Sequence, residues 1–376
     1  MTIFDQVSLD ALRTRTSIKW RAYPDDVLPC FVAEMDVPQA EPVVRAVADA
    51  MRLGDTGYDT PTAYAEALAP FAEQRWGWQI DVAACRTVPD VMNGIVEVLR
   101  LCTDPGDAVV INPPVYPPFT SFPEHAGRRL VHAPLADGRL DLEALDRAFA
   151  LATAGGRRAA YVLCQPHNPT GTVHTADELR AVGDLARAAG VTVIADEIHA
   201  PVVLDGTFTP TTTVIPEAIA FHSASKAFNL AGLRAAVAVP GAATDLDRLP
   251  EIVGHGVMHV GTVAHAAAYR EGGAWLDSLL DDLRVNRDLL RGLLAEVPAA
   301  RWKPEAGTYF AWIDLSSAFA GEDPATALLH RGRLAVNPGP SFGEQGAGFV
   351  RLNFAASTAT LTEAVRRIAV ALPTGM

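Results

Sequence analysis

The sequence predicts an α/β fold: a mostly parallel sheet with helices on both faces, joined to a smaller α+β part. Three observations carry this. Short apolar runs alternate with helical patterns from about residue 90 to 240. Those runs are apolar throughout rather than alternating, as strands buried on both faces are. Beyond residue 270 the pattern changes to one long amphipathic stretch followed by strand-like pieces. Repeated strand–helix alternation makes βαβ units, whose strands run parallel.

The elements follow in order. Residues 1–40 are short, Pro-containing and irregular, and are expected to pack on the smaller part. Residues 91–102 (VMNGIVEVLRLC) carry apolar side chains at helical spacing, and Ala108–Ile111 reads as a buried strand. Residues 141–154 read as a helix and Ala159–Cys164 as a strand. Residues 175–189 read as a helix closed by Gly190, followed by Val191–Ala195 as a strand. Ala218–Phe221 and Ala235–Val239 read as further short strands. Residues 273–297 form the long amphipathic helix, Thr308–Ile313 and Phe349–Asn353 read as strands, and a last helix lies near 360–371. Pro/Gly joints near residues 240–241 and 272–273 suggest a large unit over 41–270 and a small one from 1–40 and 271–376.

The chain has 376 residues with 31 basic and 44 acidic side chains, a net charge of −13. That balance argues against nucleic acid or an anionic membrane as a partner. No apolar run approaches the length of a membrane-spanning helix. The start, MTIFDQVSLD, lacks the basic-then-apolar pattern of a secretory leader. Four cysteines without a C-x-x-C pair favour reduced thiols in a cytoplasmic protein. Against 28 arginines there are only three lysines, Lys19, Lys226 and Lys303, so lysine chemistry has three places to reside.

Ligands of open α/β sheets sit beyond the carboxyl ends of the strands. The residues just past three predicted strands include Asn168, Asp196 and Lys226, so these converge at one sheet edge. A lysine beside a carboxylate and an anion site suits pyridoxal 5′-phosphate, which needs an amine for its Schiff base and a carboxylate facing the pyridine nitrogen. The loop 87–93 (TVPDVMN) opens a helix, where free N–H groups bind phosphate. Ser223 and Arg234 offer a hydroxyl and a charge-assisted contact.

N-P-T-G at 168–171, D-E-I-H at 196–199 and S-x-S-K-x-F-N-x-x-G-L-R at 223–234 resemble the fold-type I pyridoxal-phosphate enzymes of the class I/II aminotransferase superfamily. Within it, the chain is similar to the cystathionine β-lyase (C–S lyase) branch, the MalY/PatB group. Ser17–Trp20 with Val32–Asp36, Asn112–Tyr116, Ala267–Tyr269 with Gly273–Leu276, and Phe349–Phe354 extend the resemblance over nearly the whole chain. It implies that Lys226 carries the cofactor and moves the substrate Cα proton. It implies that Asp196 pairs with the ring nitrogen, Asn168 with the ring 3′-oxygen, and that Tyr116 stacks on the ring. The N–H groups of Val91 and Met92, with Ser223 and Arg234, would hold the phosphate. Tyr58 would reach the phosphate of a neighbouring subunit, which implies a homodimer with shared sites. Arg351 would clamp the substrate α-carboxylate, with Asn168 and Tyr116 beside it. His199 completes the cofactor set; many aminotransferases carry Tyr there, and the lyase branch commonly has His.

The implied reaction is α,β-elimination on a cysteine S-conjugate such as L-cystathionine, giving a thiol, pyruvate and ammonia. The alternatives are an aminotransferase, and a biosynthetic enzyme acting on a larger S-conjugate by elimination or decarboxylation-linked oxidative deamination. A regulatory protein that keeps the fold is the rival from another class. One departure stands out: Asp90 replaces the usual glycine before the phosphate-loop helix, and a carboxylate beside a phosphate is unfavourable unless it points away or caps the helix. No metal is expected. His255 and His259 are four apart, but Gly254, Gly256 and Gly261 weaken a helix there and no carboxylate is expected beside them; His259 is placed near the substrate side. Lys19 has no apparent acid partner, Lys303 reads as a solvated charge, and Trp76 and Trp78 as packing residues.

Overall fold

The computed structural model describes residues 2–319 and 321–373. The N-terminal part holds short helical turns α1 (Leu9–Leu12) and α2 (Ile18–Arg21), the two-residue strand β1 (Leu28–Pro29), and the helices α3 (Glu41–Leu53) and α4 (Ala63–Trp76). The main sheet follows, built from β2 (Arg86–Val88), β3 (Ala108–Ile111), β4 (Arg129–His132), β5 (Ala159–Cys164), β6 (Val191–Asp196), β7 (Ile219–His222) and β8 (Ala236–Pro240). Their order is β2-β8-β7-β6-β5-β3-β4; β8 is antiparallel to both its neighbours and the rest run parallel.

Burial on both faces explains the continuous apolar strands. Val109 and Ile111 of β3 and Val162 of β5 pack on one face, under α5 (Val91–Cys102) and α6 (Pro118–His125). Ala108, Val110, Tyr161 and Leu163 point the other way, under α7 (Leu142–Ala152) and α8 (Ala176–Ala189). Successive side chains of a strand face opposite sides, so both need cover. Helix α8 shows its own punctuation: Thr175 and Glu178 form a capping box, and Gly190 closes the helix at φ +69°. Gly94 lets α5 approach the sheet closely, because a methyl there would collide with the Phe221 ring and Val88.

Short helices α9 (Thr211–Val214) and α10 (Glu251–His255) precede α11 (His259–Glu271) and the long α12 (Gly273–Ala295). The C-terminal part holds β9 (Phe310–Asp314), α13 (Pro324–Gly332), β10 (Leu334–Ala335), β11 (Asn337–Pro338), β12 (Phe349–Asn353) and α14 (Thr358–Ala371). Strands β11, β12 and β9 form an antiparallel sheet, and β1 pairs with β10. Buried Phe4 and Leu28 join the core of α12 and α14.

Several boundaries differ from the sequence expectation. The helix expected over 141–154 starts after Asp141, whose carboxylate accepts from Glu143 and Ala144 N–H, and it stops at Ala152. Thr308 lies outside its strand because its φ is +66°, incompatible with extended pairing. Strands β2 and β4 were not expected; both are sheet edges, β2 being only three residues of which two, Arg86 and Thr87, are polar, while partial exposure of β4 removes its apolar signature. His255 and His259 lie on separate helices, so their spacing makes no common face. Contrary to the expectation, His259 has carboxylates beside it, Asp55 and Asp59.

Lys19 corrects a second expectation. Its ammonium is buried and bonds Asp36 Oδ1 at 2.6 Å and the Glu34 carbonyl at 3.0 Å. This pair anchors the segment 32–36. Lys19→Met leaves the Asp36 carboxylate buried without a cation, and is expected to cost about 3–5 kcal/mol. Urea denaturation of the variant and of the double variant with Asp36→Leu checks this: the double variant recovers most of the loss if the pair is the cause.

Candidate active site

The parallel strands end in register. Cys164 of β5 lies opposite Asp196 of β6, which lies opposite Phe221 of β7. The chain therefore leaves three adjacent strands at one level, and the following turns place Asn168, Asp196 and Lys226 around a single cavity of about 380 Å³. Val91, Met92, Tyr116, His199, Arg234 and Arg351 also line it. Two expected residues do not. Ser223 lies behind the wall, its hydroxyl donating to the Ala235 carbonyl at 2.7 Å and 2.8 Å from Ser225 Oγ; Ser225 is the hydroxyl that lines the cavity. Tyr58 sits outside it on an exposed loop, 92% accessible.

Burial governs the electrostatics. Asp196 is 5% exposed, and its carboxylate is raised to about 7, chiefly by desolvation; the Ile198 N–H at 3.0 Å opposes this. Lys226 is lowered to about 8, first by burial and then by the Arg351 charge. Burial likewise pushes Tyr116 up and His199 well down, so the imidazole is neutral. His199 stands edge-on to Tyr309 and Phe310, and its Nδ1 has no partner among the described residues.

Arg351 projects from β12. Its Nη1 donates to Asn168 Oδ1 at 2.8 Å and its Nη2 to Asn337 Oδ1 at 2.7 Å. The guanidinium carbon lies 4.1 Å from the Phe310 ring centre and 5.0 Å from that of Phe342. Burial lowers it to about 10, still a full cation at neutral pH, and its Nε is buried without a partner. Asn337, Phe310 and Phe342 were missed by sequence reasoning; Asn337 on β11 and Phe310 on β9 reach Arg351 through the sheet, and Phe342 through the helical turn 339–342 between β11 and β12. Asn337 Oδ1 also accepts from Val32 N–H at 3.2 Å. Val32 lines the cavity at φ +62°, a costly conformation for a β-branched residue. Asn353 holds the Val32 and Glu34 carbonyls, and Asn229 bonds both backbone groups of Met35.

Asp90 behaves as a cap. Its Oδ1 accepts from Asn93 N–H at 2.9 Å, and its other oxygen bonds Arg234. The carboxylate is thus neutralised, and because the cap takes the Asn93 N–H, the N–H groups of Val91 and Met92 in the same first turn remain beside the cavity. Behind the site, His222 Nε2 lies 2.8 Å from Glu197 Oε2, and its ring packs against Trp76 and Trp78. The two tryptophans are packing residues, as expected.

The donor set matches what pyridoxal phosphate requires: a desolvated amine, a buried carboxylate with one backbone N–H for company, an aromatic face, and a helix N-terminus with Arg234. The model for aminotransferases of class I and II matches residues 23–368. The chain belongs to the class I and II aminotransferase family. A Mycobacterium tuberculosis protein (strain ATCC 25618 / H37Rv) provisionally named cystathionine beta-lyase is 50% identical over 397 residues, with 98% of each chain covered. The cystathionine beta-lyase of Corynebacterium glutamicum is 34% identical over 375 residues, covering 97% of this chain and 99% of that one. Among solved structures, a Corynebacterium diphtheriae protein provisionally described as a PLP-dependent beta-cystathionase aligns with a TM-score of 0.90 at 32% identity, covering 96% of this chain and 97% of that one. Among the described residues of this family member, no cluster suits a metal ion.

The pKa of Asp196 sets a pH test. Its folded value, about 7, lies above the ordinary 3.8, so the folded chain keeps a proton that the unfolded chain releases between these values. Folding of the cofactor-free protein is therefore penalised progressively as pH rises through that window. Asp196→Asn has no such penalty, and its stability relative to wild type is expected to widen by about 2 kcal/mol between about pH 5 and pH 8. Urea denaturation at both pH values measures this; a gap that does not widen contradicts it.

Proposed function

We propose that this protein is a pyridoxal-phosphate-dependent carbon–sulfur lyase that eliminates from a cysteine S-conjugate such as L-cystathionine, releasing a thiol, pyruvate and ammonia. The reading rests above all on the cavity that joins Lys226, Asp196 and Arg351, in a chain half identical to a provisionally named cystathionine beta-lyase. His199 in place of tyrosine supports a lyase over an aminotransferase.

When bound, pyridoxal phosphate supplies a sink for the electron pair left at Cα. Arg351 takes the substrate carboxylate, its planar fork held by Phe310 and Phe342. Lys226, lowered to about 8, has a substantial neutral fraction near neutral pH, so Nζ accepts the Cα proton. The Cβ–S bond then breaks with its electron pair on sulfur, which leaves as the thiol after taking a proton; the released 2-aminoacrylate takes up one water to give pyruvate and ammonia. Asp196, as a carboxylate, would pair with the pyridine nitrogen and keep a proton on it. Asn168, which accepts from Arg351, would also bond the ring oxygen, and Tyr116 would cover the ring. Val91 and Met92 N–H, Arg234 and the Ser225 hydroxyl, which Ser223 supports from behind, would hold the phosphate.

Tyr58 belongs to the phosphate site of a second copy in this reading. Its exposure, and that of Met51, Leu53 and Ile252 on the surrounding elements, supports a homodimer with shared sites. The four unpaired cysteines support a reducing compartment, the cytoplasm. No helix among the described residues is long and apolar enough to cross a membrane. We keep the large unit at 41–270, with 1–40 and 271–376 forming the small one.

Incubation with L-cystathionine is expected to yield equal amounts of thiol and pyruvate; a keto acid retaining the sulfur, with no thiol, marks an aminotransferase instead. Lys226→Ala is expected to lower turnover at least about 10³-fold and to abolish the covalent cofactor link seen by mass spectrometry after borohydride reduction. Arg351→Gln is expected to lower kcat/KM by about 10- to 100-fold, mainly through KM.

A further inference from the structure

The loop between α3 and α4 carries Tyr58, and two features hold it. At one end Thr87 Oγ1 donates to the Pro61 carbonyl at 2.8 Å. Thr87 lies on β2, three residues before Asp90, so the loop is tied to its own chain's phosphate turn. At the other end stands His259, the first residue of α11. Its Nδ1 is 3.2 Å from Asp59 Oδ1 and its Nε2 is 3.2 Å from Asp55 Oδ1. The imidazole thus bridges the two acids that flank Tyr58, and Asp59 is nearly buried, with its side chain 6% exposed.

Both ring nitrogens face carboxylates. Nδ1 is hydrogen-bonded to Asp59, while Nε2 faces Asp55 as a close charge contact; a protonated ring attracts both acids, and a neutral one holds at most the Asp59 bond. A cation at a helix N-terminus opposes the macrodipole, and here the acids offset that cost. The contacts with Asp59 and then Asp55 raise the histidine above its ordinary value. The hollow beside the ring is lined by Ala46 of α3, Ala63 of α4, and Arg270 and Glu271 of α11. Glu271 is paired with Arg45, so Asp55 and Asp59 are the acids against the imidazole.

We propose that His259 is a positioning residue for Tyr58: by gripping Asp55 and Asp59 it fixes the loop that presents Tyr58 to the cofactor phosphate of the partner subunit. This rests on the reading of Tyr58 given above. His259 touches neither cofactor nor substrate. It lowers the ordering cost that Tyr58 would otherwise meet on binding the phosphate.

Equilibrium dilution of the holoenzyme, with released pyridoxal phosphate measured by fluorescence, tests this as a double-mutant cycle. Tyr58→Phe is expected to weaken cofactor binding about 10-fold, His259→Gln about 5-fold, and the double variant no more than Tyr58→Phe alone. The wild-type advantage over His259→Gln is expected to shrink as pH rises through the raised histidine value, since deprotonation removes the charge that attracts both acids. Sedimentation velocity verifies that each variant is dimeric; Asp55→Asn replaces His259→Gln in the cycle if the latter misfolds. Unchanged affinity in His259→Gln, or full additivity with Tyr58→Phe, overturns the proposal alone. Unchanged affinity in Tyr58→Phe overturns the reading of Tyr58 and the proposal with it.

Discussion

A carboxylate buried at the end of a parallel strand has to find a positive charge or keep its proton. Asp196 is in that position: the strands on either side exclude water, and one backbone N–H is its hydrogen-bond donor. The site is organised around that constraint. The lysine amine lies on the turn after the next strand, desolvated by the same cavity, and the guanidinium of Arg351 reaches in from the second sheet. Burial moves Asp196 and Lys226 toward neutrality from opposite sides, which readies a proton acceptor and leaves the acid in need of a cation.

Arginine chemistry divides between stacking and capping. Arg351 is held by two aromatic faces and two carboxamide oxygens, so it keeps its charge and its plane while fully desolvated. Arg234 is half exposed and compensates Asp90. The acid that looks misplaced before a helix N-terminus facing the cavity is thus the helix cap, and its charge is already matched. Lys19 and Asp36 play a comparable structural part at the N-terminal segment, where three asparagine side chains hold the backbone of Val32–Met35 in place.

Much of the fold was legible because the central strands are buried on both faces. Strands β3, β5 and β12 fall on their predicted ranges, and β6, β7 and β8 lie within a residue of theirs. The edge strands were not legible: β2 is three residues with only one apolar side chain, and the partly exposed residues of β4 lose that signature. The site was legible where one turn carries one functional group, as for Asn168, Asp196 and Lys226. It was not legible where contacts depend on tertiary register: Asn337 and Phe310 meet Arg351 through sheet pairing, and Lys19 meets Asp36 through the path of an irregular segment. Ser223 shows a finer limit, since its position in the motif was clear but the direction of its hydroxyl was set by the Ala235 carbonyl.

Gly94 has a reach beyond packing. It sits one turn into α5, where the Phe221 ring and Val88 occupy the space a side chain would need. The N-terminus of that helix carries Val91 and Met92, and Phe221 leads through His222 to the turn bearing Lys226. A missing methyl therefore acts as a spacer gauge between the cavity-lining first turn of α5 and the lysine strand. Two halves of the site, more than a hundred residues apart in the chain, are set at their separation by a residue that takes no part in the chemistry.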